Sequence, residues 1–338
     1  MMQDLTNRVF IIAEFGMLHE GSFGTACNMV EAAKECGADA VKFQTHIAEA
    51  ETLPNAPMPS FFKGEPRWQY FQRTAFSLEQ WKALKRHCDD VGIEFLSTPF
   101  SREAVDLLEE VGMSRYKIPS GEVTNIPFLE RVVTTEKPVL LSSGMSYWKE
   151  LDAAVAVFKK AGSPLTVLQC TSVYPTPPEK VGLNVMLEMQ ERYAPCAVGL
   201  SDQSLTNYAG FAAAALGASV IEKHITLSRY CYGSDAKHSV EPNEFKDFVR
   251  GVRDIEKMLN NPVDKNKMAD ELNEMKYVFE KSIVSLRKIP AGTVLTESFI
   301  GIKKPGGGIS PARFREMIGA VTKKDIEPGV LLAASDIQ

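Results

Sequence analysis

Short, nearly continuous apolar runs rich in β-branched residues recur through the first two thirds of the chain. They cover positions 9–15, 40–45, 95–98, 116–119, 139–142, 165–171, 197–201 and 220–225. Continuous hydrophobicity over so few residues predicts strands buried on both faces. Amphipathic stretches lie between them. Ala26, Met29, Val30 and Ala33 repeat at i, i+3, i+4 and i+7, and the stretch stops at Gly37, a predicted left-handed helix terminator. Ser77 and Gln80 have capping-box spacing ahead of Trp81 and Leu84. Phe245, Phe248, Val249 and Val252 keep the helical period. Eight strand–helix units in about 260 residues predict an α/β fold of the (β/α)8 barrel type. A doubly wound open sheet is the rival, but no G-x-G-x-x-G follows the first run. Residues 47–75 read as one long loop, and a loop of that length in a compact domain predicts a lid. Its Met58, Phe61, Phe62, Trp68 and Tyr70 are expected to pack the lid rather than bind a cofactor.

The pattern changes after residue 260. Residues 260–280 are polar and read as a helical connector. Residues 281–338 hold 7 glycines and 4 prolines, with strand-like runs at 282–286 and 330–333. The expected division is a barrel domain over 1–260, a linker over 261–280 and a small β-rich domain over 281–338. That last segment carries nine Lys/Arg against five Asp/Glu, net +4, which leaves −9 for the rest.

Composition narrows the classes. The 338 residues are 44% apolar and 24% charged, enough apolar content for a large core. The net charge of −5 argues against general nucleic-acid binding. The first apolar run is too short for a signal peptide or membrane span, so the expected compartment is the cytoplasm. The six cysteines, at 27, 36, 88, 170, 196 and 231, have no C-x-x-C spacing and are expected as reduced, mostly buried thiols. Cys170 closes a strand, but no histidine stands where it would activate the thiol, so a core role is expected.

In such barrels the active site lies where the strands end. The runs close on Glu14, on Lys42 with Gln44, on Ser97-Thr98, on Lys117 through Ser120-Gly121-Glu122, on Ser142-Ser143-Gly144, on Thr171-Ser172 with Tyr174 beyond, on Ser201-Asp202-Gln203, and on Glu222-Lys223-His224. Buried lysines are rare unless they pair or bind an anion. Two strand lysines facing serines and glycines therefore predict a phosphate or carboxylate site. The plainer alternative is that Lys42 and Lys117 pair with Glu14 and Glu122. His224 reads as the metal-ligand candidate at a strand end.

These motifs resemble the sialic acid synthase family. The match runs through Ala13-Glu14-Phe15-Gly16, Val41-Lys42-Phe43-Gln44-Thr45, Ser97-Thr98-Pro99-Phe100, Lys117-Ile118-Pro119-Ser120-Gly121-Glu122, Leu141-Ser142-Ser143-Gly144-Met145, Cys170 to Pro177, Gly199-Leu200-Ser201-Asp202 and Glu222-Lys223-His224. Ile289-Pro290-Ala291-Gly292, Lys304-Pro305-Gly306 and Ile326-Glu327-Pro328-Gly329 resemble the family's antifreeze-like (SAF, β-clip) domain. The blocks cover nearly the whole chain in order.

The resemblance implies condensation of phosphoenolpyruvate with an N-acyl hexosamine to give N-acetylneuraminate, legionaminate or pseudaminate. It implies that Lys42, Lys117, Ser120, Ser142 and Ser201 hold phosphoenolpyruvate, with Thr98 nearby. It implies that Glu14, Gln44, Tyr174 and Asp235 hold the amino sugar, that Glu122 handles protons, and that His224 binds Mn²⁺ or Mg²⁺. A domain-swapped homodimer is implied as well. Gln203 stands where the family usually has a second metal-binding histidine, Lys304 where it has an arginine reaching the sugar, Leu18 where an asparagine precedes histidine, and Ser172 where many members have asparagine. Glutamine offers a weaker transition-metal donor than imidazole. Lysine keeps arginine's charge without its planar fork. Other barrel synthases acting on arabinose 5-phosphate or erythrose 4-phosphate lack such a tail. A non-catalytic sugar- or ice-binding relative rests on Gln203 alone.

Overall fold

The computed structural model describes residues 8–59, 62 and 64–338. Eight parallel strands form one sheet: β1 (Phe10–Gly16), β2 (Ala40–Thr45), β3 (Glu94–Pro99), β4 (Tyr116–Ile118), β5 (Val139–Ser142), β6 (Leu165–Cys170), β7 (Ala197–Asp202) and β8 (Val220–His224). The order is β3-β2-β1-β8-β7-β6-β5-β4, and β3 lies against β4 without a shared ladder. The sheet is thus a nearly closed eight-stranded barrel, as the sequence pattern predicts. The helices around it are α1 (Phe23–Glu35), α2 (Ala48–Glu51), α3 (Arg67–Thr74), α4 (Leu78–Val91), α5 (Arg102–Val111), α6 (Ile126–Val133), α7 (Trp148–Ala161), α8 (Leu183–Arg192), α9 (Tyr208–Ala215) and α10 (Pro242–Asn260).

Helix boundaries follow local chemistry. Ser22 caps α1 by accepting from Thr25 N, and the helix buries Ala26, Met29, Val30 and Ala33. Gly37 follows at φ +86°, a left-handed conformation that costs glycine little. Both bonds of the Ser77–Gln80 capping box at α4 are present. The stretch read as a single loop, 47–75, instead contains α2 and α3. Phe61 of that stretch lies outside the described residues.

Strand periodicity sorts the barrel into two layers. Ile12, Ala40, Leu96, Leu140, Leu168 and Val220 face inward and form one small apolar cluster. Two residues further along the same strands, on the same face, come Glu14, Lys42, Thr98, Ser142, Cys170 and Glu222. The interior is therefore apolar at one level and polar at the next. Intervening residues such as Ile11, Val41, Phe95 and Ile221 pack outward against the helices. Gly199 in β7 is a steric requirement: a Cβ there would sit 2.2 Å from the Val220 carbonyl oxygen.

The chain divides into two compact units, at 1–261 and 262–338. The second holds α11 (Lys265–Glu271), α12 (Asn273–Phe279) and an antiparallel pair, β9 (Ser282–Ser285) with β10 (Ile300–Lys303). Ile283, Ile289, Leu295, Ile300, Ile326 and Leu332 form its own core. The run at 330–333 forms only an isolated bridge, Val284 to Leu331, rather than a strand. Among the described residues no helix is long and apolar enough to cross a membrane.

Candidate active site

The polar layer opens into a cavity of about 430 Å³ at the carboxyl ends of the strands. Glu14, Lys42, Gln44, Thr98, Lys117, Ser120, Ser142, Ser172, Tyr174, Ser201, Gln203, His224 and Asp235 all line it. Residues from eight strands and their loops thus reach one volume. Two candidates are not in its wall. Glu122 is half-buried in the turn after β4, where it accepts a 2.7 Å bond from Asn125 Nδ2. Lys304 belongs to the second unit, where its Nζ lies 5.1 Å from the Phe279 ring centroid.

Two lysines and two glutamates dominate the electrostatics. Lys42 Nζ lies 2.8 Å from Glu14 Oε2 and 3.5 Å from Glu222 Oε2, and donates to Thr98 Oγ1 at 2.9 Å. Lys117 Nζ lies 3.4 Å from Glu222 Oε1, which also accepts from Ser201 Oγ at 2.9 Å. The plainer expectation of buried pairing therefore holds for Lys42 with Glu14. Lys117 pairs with Glu222 rather than Glu122, because the curvature of the barrel brings β8 opposite β4.

All four groups are buried, and their protonation follows from who neighbours whom. Burial disfavours the Lys42 ammonium, but Glu14 and Glu222 outweigh it and raise its pKa. Lys117 has only one close carboxylate and a second lysine nearby, so burial wins and its pKa falls. Burial alone would raise Glu222, yet Lys117, Lys42 and His224 hold its carboxyl well below the usual range. Glu14 goes the other way: burial and Glu222 raise its pKa despite Lys42. Burial thus disfavours the charged form of Lys117 and of Glu14 alike, and an anion beside Lys117 would favour its ammonium.

Ser142 Oγ, Gln203 Oε1 and His224 Nδ1 are buried and have no hydrogen-bond partner within the protein. Buried polar atoms are seldom left unpaired, so all three point to a ligand. Gln203 donates through Nε2 to Ser201 Oγ at 3.1 Å, which leaves the amide oxygen free. Asp235 Oδ2 is 3.9 Å from His224 Nδ1, too far for a hydrogen bond. An amide oxygen and an imidazole nitrogen fit a divalent cation that completes its shell with water or substrate oxygens. Among the described residues no three His, Cys, Asp or Glu side chains converge into a full protein cage.

Several lining residues were not singled out by the sequence reading. Glu222 was visible beside His224, and the strand period puts it on the same inner face. His46, directly after β2, also lines the cavity, as do Arg67 and Phe71 of α3; Tyr70, expected only to pack the lid, lines it too. Nothing in their spacing marks the α3 residues, since they reach the site only through the path of the 47–75 segment. Three cysteines are buried, as expected, but Cys27 and Cys196 are half-buried and Cys231 is exposed.

Comparison with known proteins matches residues 29–264 to the NeuB family and residues 280–338 to the SAF domain. The chain is 35% identical to the N,N'-diacetyllegionaminic acid synthase of Campylobacter jejuni, over 96% of this chain and 99% of that one. It is also 35% identical to human N-acetylneuraminate-9-phosphate synthase, over 87% and 82% of the two chains. Among solved structures, the N-acetylneuraminic acid synthetase of Leptospira borgpetersenii superposes with a TM-score of 0.70 at 31% identity. That match covers 80% of this chain and 92% of the other.

Proposed function

The chain belongs to the NeuB family, and on that premise we propose that it is a nonulosonic acid synthase. It joins phosphoenolpyruvate to an N-acyl hexosamine, with N-acetylmannosamine as the first acceptor to try, and releases phosphate. One observation carries the reading: two buried lysines share the cavity at the barrel mouth with Ser120, Ser142 and Ser201, and one of them, Lys117, has a single carboxylate at 3.4 Å.

The chemistry follows from the residues. Lys42 and Lys117 neutralise the phosphate and carboxylate of phosphoenolpyruvate, while Ser120, Ser142 and Ser201 fix its orientation. C3 of phosphoenolpyruvate attacks the sugar aldehyde carbon, and the aldehyde oxygen takes a proton. Water then adds at the electron-poor C2 and gives up a proton. Collapse of that adduct expels phosphate and leaves a 2-keto acid. Glu14 suits the proton-holding role, because it lies in the cavity wall and burial raises its pKa above the ordinary carboxylate value. Gln44, Tyr174 and Asp235 hold the sugar; Ser172 and Thr98 border both substrates. His224 and Gln203 would hold a divalent cation, which would supply Lewis acidity to the aldehyde. Fixed positioning of two substrates contributes most of the remaining rate. Glu122 keeps its proton-handling role only if the turn carrying it moves toward the cavity.

A second acceptor class has its own support. Met17, Met58 and Phe71 give one side of the cavity an apolar surface, which suits the methyl group of a 2,4-diacetamido-trideoxyhexose and hence legionaminate or pseudaminate synthesis. The reading also carries a cytoplasmic homodimer in which Lys304 of one chain serves the other's sugar. The test is phosphate release and product mass with phosphoenolpyruvate and each acceptor in turn. Turnover with one class and not the other identifies the sugar; no turnover with any supports a binding protein instead. Mixing Lys304→Ala and Lys42→Met chains tests the exchange, since swapped dimers gather both defects in one site and recover activity in the other.

A further inference from the structure

The loop after β2 holds an arrangement that the reaction above does not use. The His46 ring lies between two phenylalanines, 3.9 Å from the Phe71 centroid at 13° and 4.0 Å from Phe100 at 20°. Its Nδ1 is 2.6 Å from Glu51 Oε1, and its Nε2 donates to Gln44 Oε1 at 3.2 Å. Gln44 Nε2 in turn donates to Glu14 Oε1 at 2.8 Å. The line runs Glu51, His46, Gln44, Glu14, from the 47–75 segment into the barrel. Each anchor of the ring comes from a different element: Glu51 from α2, Phe71 from α3 and Phe100 from just beyond β3.

A primary amide has two ends of nearly equal shape and opposite hydrogen-bonding sense. Which end faces the cavity decides whether that wall recognises an acceptor or a donor. Here the ring occupies the amide oxygen, so N–H remains for Glu14 and for the cavity. A stacked ring gripped at both nitrogens has little freedom to release it. Donors fixed in advance need no reorganisation when substrate arrives.

We propose that His46 is a positioning residue that locks the Gln44 amide with its N–H groups toward the sugar subsite, so that this wall selects acceptor oxygens such as an acyl carbonyl or hydroxyl. The proposal rests on the synthase reading, in which Gln44 meets the sugar. It also makes sugar recognition depend on α2 and α3, which hold the ring.

The test is steady-state kinetics with both substrates varied. His46→Phe keeps a stackable ring and removes both nitrogens. It is expected to raise the acceptor KM roughly tenfold, the size of one lost hydrogen bond, and to leave the phosphoenolpyruvate KM within about twofold. His46→Gln, which restores an N–H near Gln44 Oε1, is expected to recover most of the loss. In a Gln44→Ala background, His46→Phe should add nothing. Equal rises in both KM values, no recovery in His46→Gln, or a full effect without Gln44 would each overturn the proposal. Should His46→Phe not fold, Glu51→Gln replaces it, with a smaller rise in acceptor KM expected and an unchanged one contradicting. If the wild-type protein turns over no phosphoenolpyruvate with any acceptor, the synthase reading fails and takes this proposal with it. Wild-type turnover with an unaltered acceptor KM in His46→Phe removes this proposal alone.

Discussion

Lys117 and Lys223 are both buried on barrel strands, and they live in opposite ways. Lys223 points outward from β8. Its Nζ donates to Asp202 Oδ2 at 2.6 Å and to the Ser204 and Thr206 carbonyls at 2.8 Å each. All three N–H groups are used, and the carboxylate is at ideal range. Lys117 points inward from β4 and has one carboxylate at 3.4 Å, with no hydrogen bond of good geometry. Burial lowers the pKa of both. A buried charge costs free energy unless it is paired and bonded. Lys223 meets that cost within the fold; Lys117 meets less of it. Saturation, rather than burial or pKa, separates the two: Lys223 holds a loop, and Lys117 keeps donor capacity for the anion proposed above. The two are also linked in space: the loop that Lys223 clamps, 202–206, carries Gln203 into the cavity.

The largest expected effect breaks the comparison on the structural side. Lys223→Met strands Asp202 and two carbonyls and should cost about 3–5 kcal/mol in urea denaturation. Lys117→Met leaves Glu222 with Lys42 and Ser201 and should change stability by less than about 1 kcal/mol. Equal losses would remove the distinction. A buried base kept neutral by the fold tests it by pH. His19 is packed against Phe76, Phe43 and Trp81, and burial lowers its pKa to about 4. The folded ring stays neutral while the unfolded chain takes up a proton below about 6.5. Stability should therefore fall as pH drops from about 6.5 to 4, by about 3 kcal/mol. His19→Phe should flatten that slope; an unaltered slope would show that other groups cause it.

Smaller effects sharpen the picture. Gln203→His adds a stronger donor beside His224 and should tighten Mn²⁺ binding by about 10–100-fold in calorimetry. Unchanged affinity would mean the two side chains do not share an ion. The surface cap at Ser77 serves α4 alone, so Ser77→Ala should cost about 1 kcal/mol and leave both KM values untouched.

Much of this was legible in the chain. The eight strands read as continuous apolar runs because parallel strands are covered on both faces, and their polar last residues marked the cavity wall. The period of two could also have put Glu222 there with His224 and turned Lys223 outward. Partnership was not legible. Lys117 and Glu222 are 105 positions apart, and only closure of the sheet makes them neighbours. His46 was hidden differently: its meaning depends on Glu51, Phe71 and Phe100, which come together through the α2–α3 segment that read as loop.

On the proposed function, the barrel mouth is an anion site built on the unsaturated Lys117. Titrating phosphoenolpyruvate into the wild-type protein and into Lys117→Met, with thermal unfolding recorded on both, tests it most directly. Expected are binding to wild type, an affinity lower by about 100-fold or more in the variant, and closely similar unfolding midpoints. Equal affinity in two equally stable proteins would contradict it.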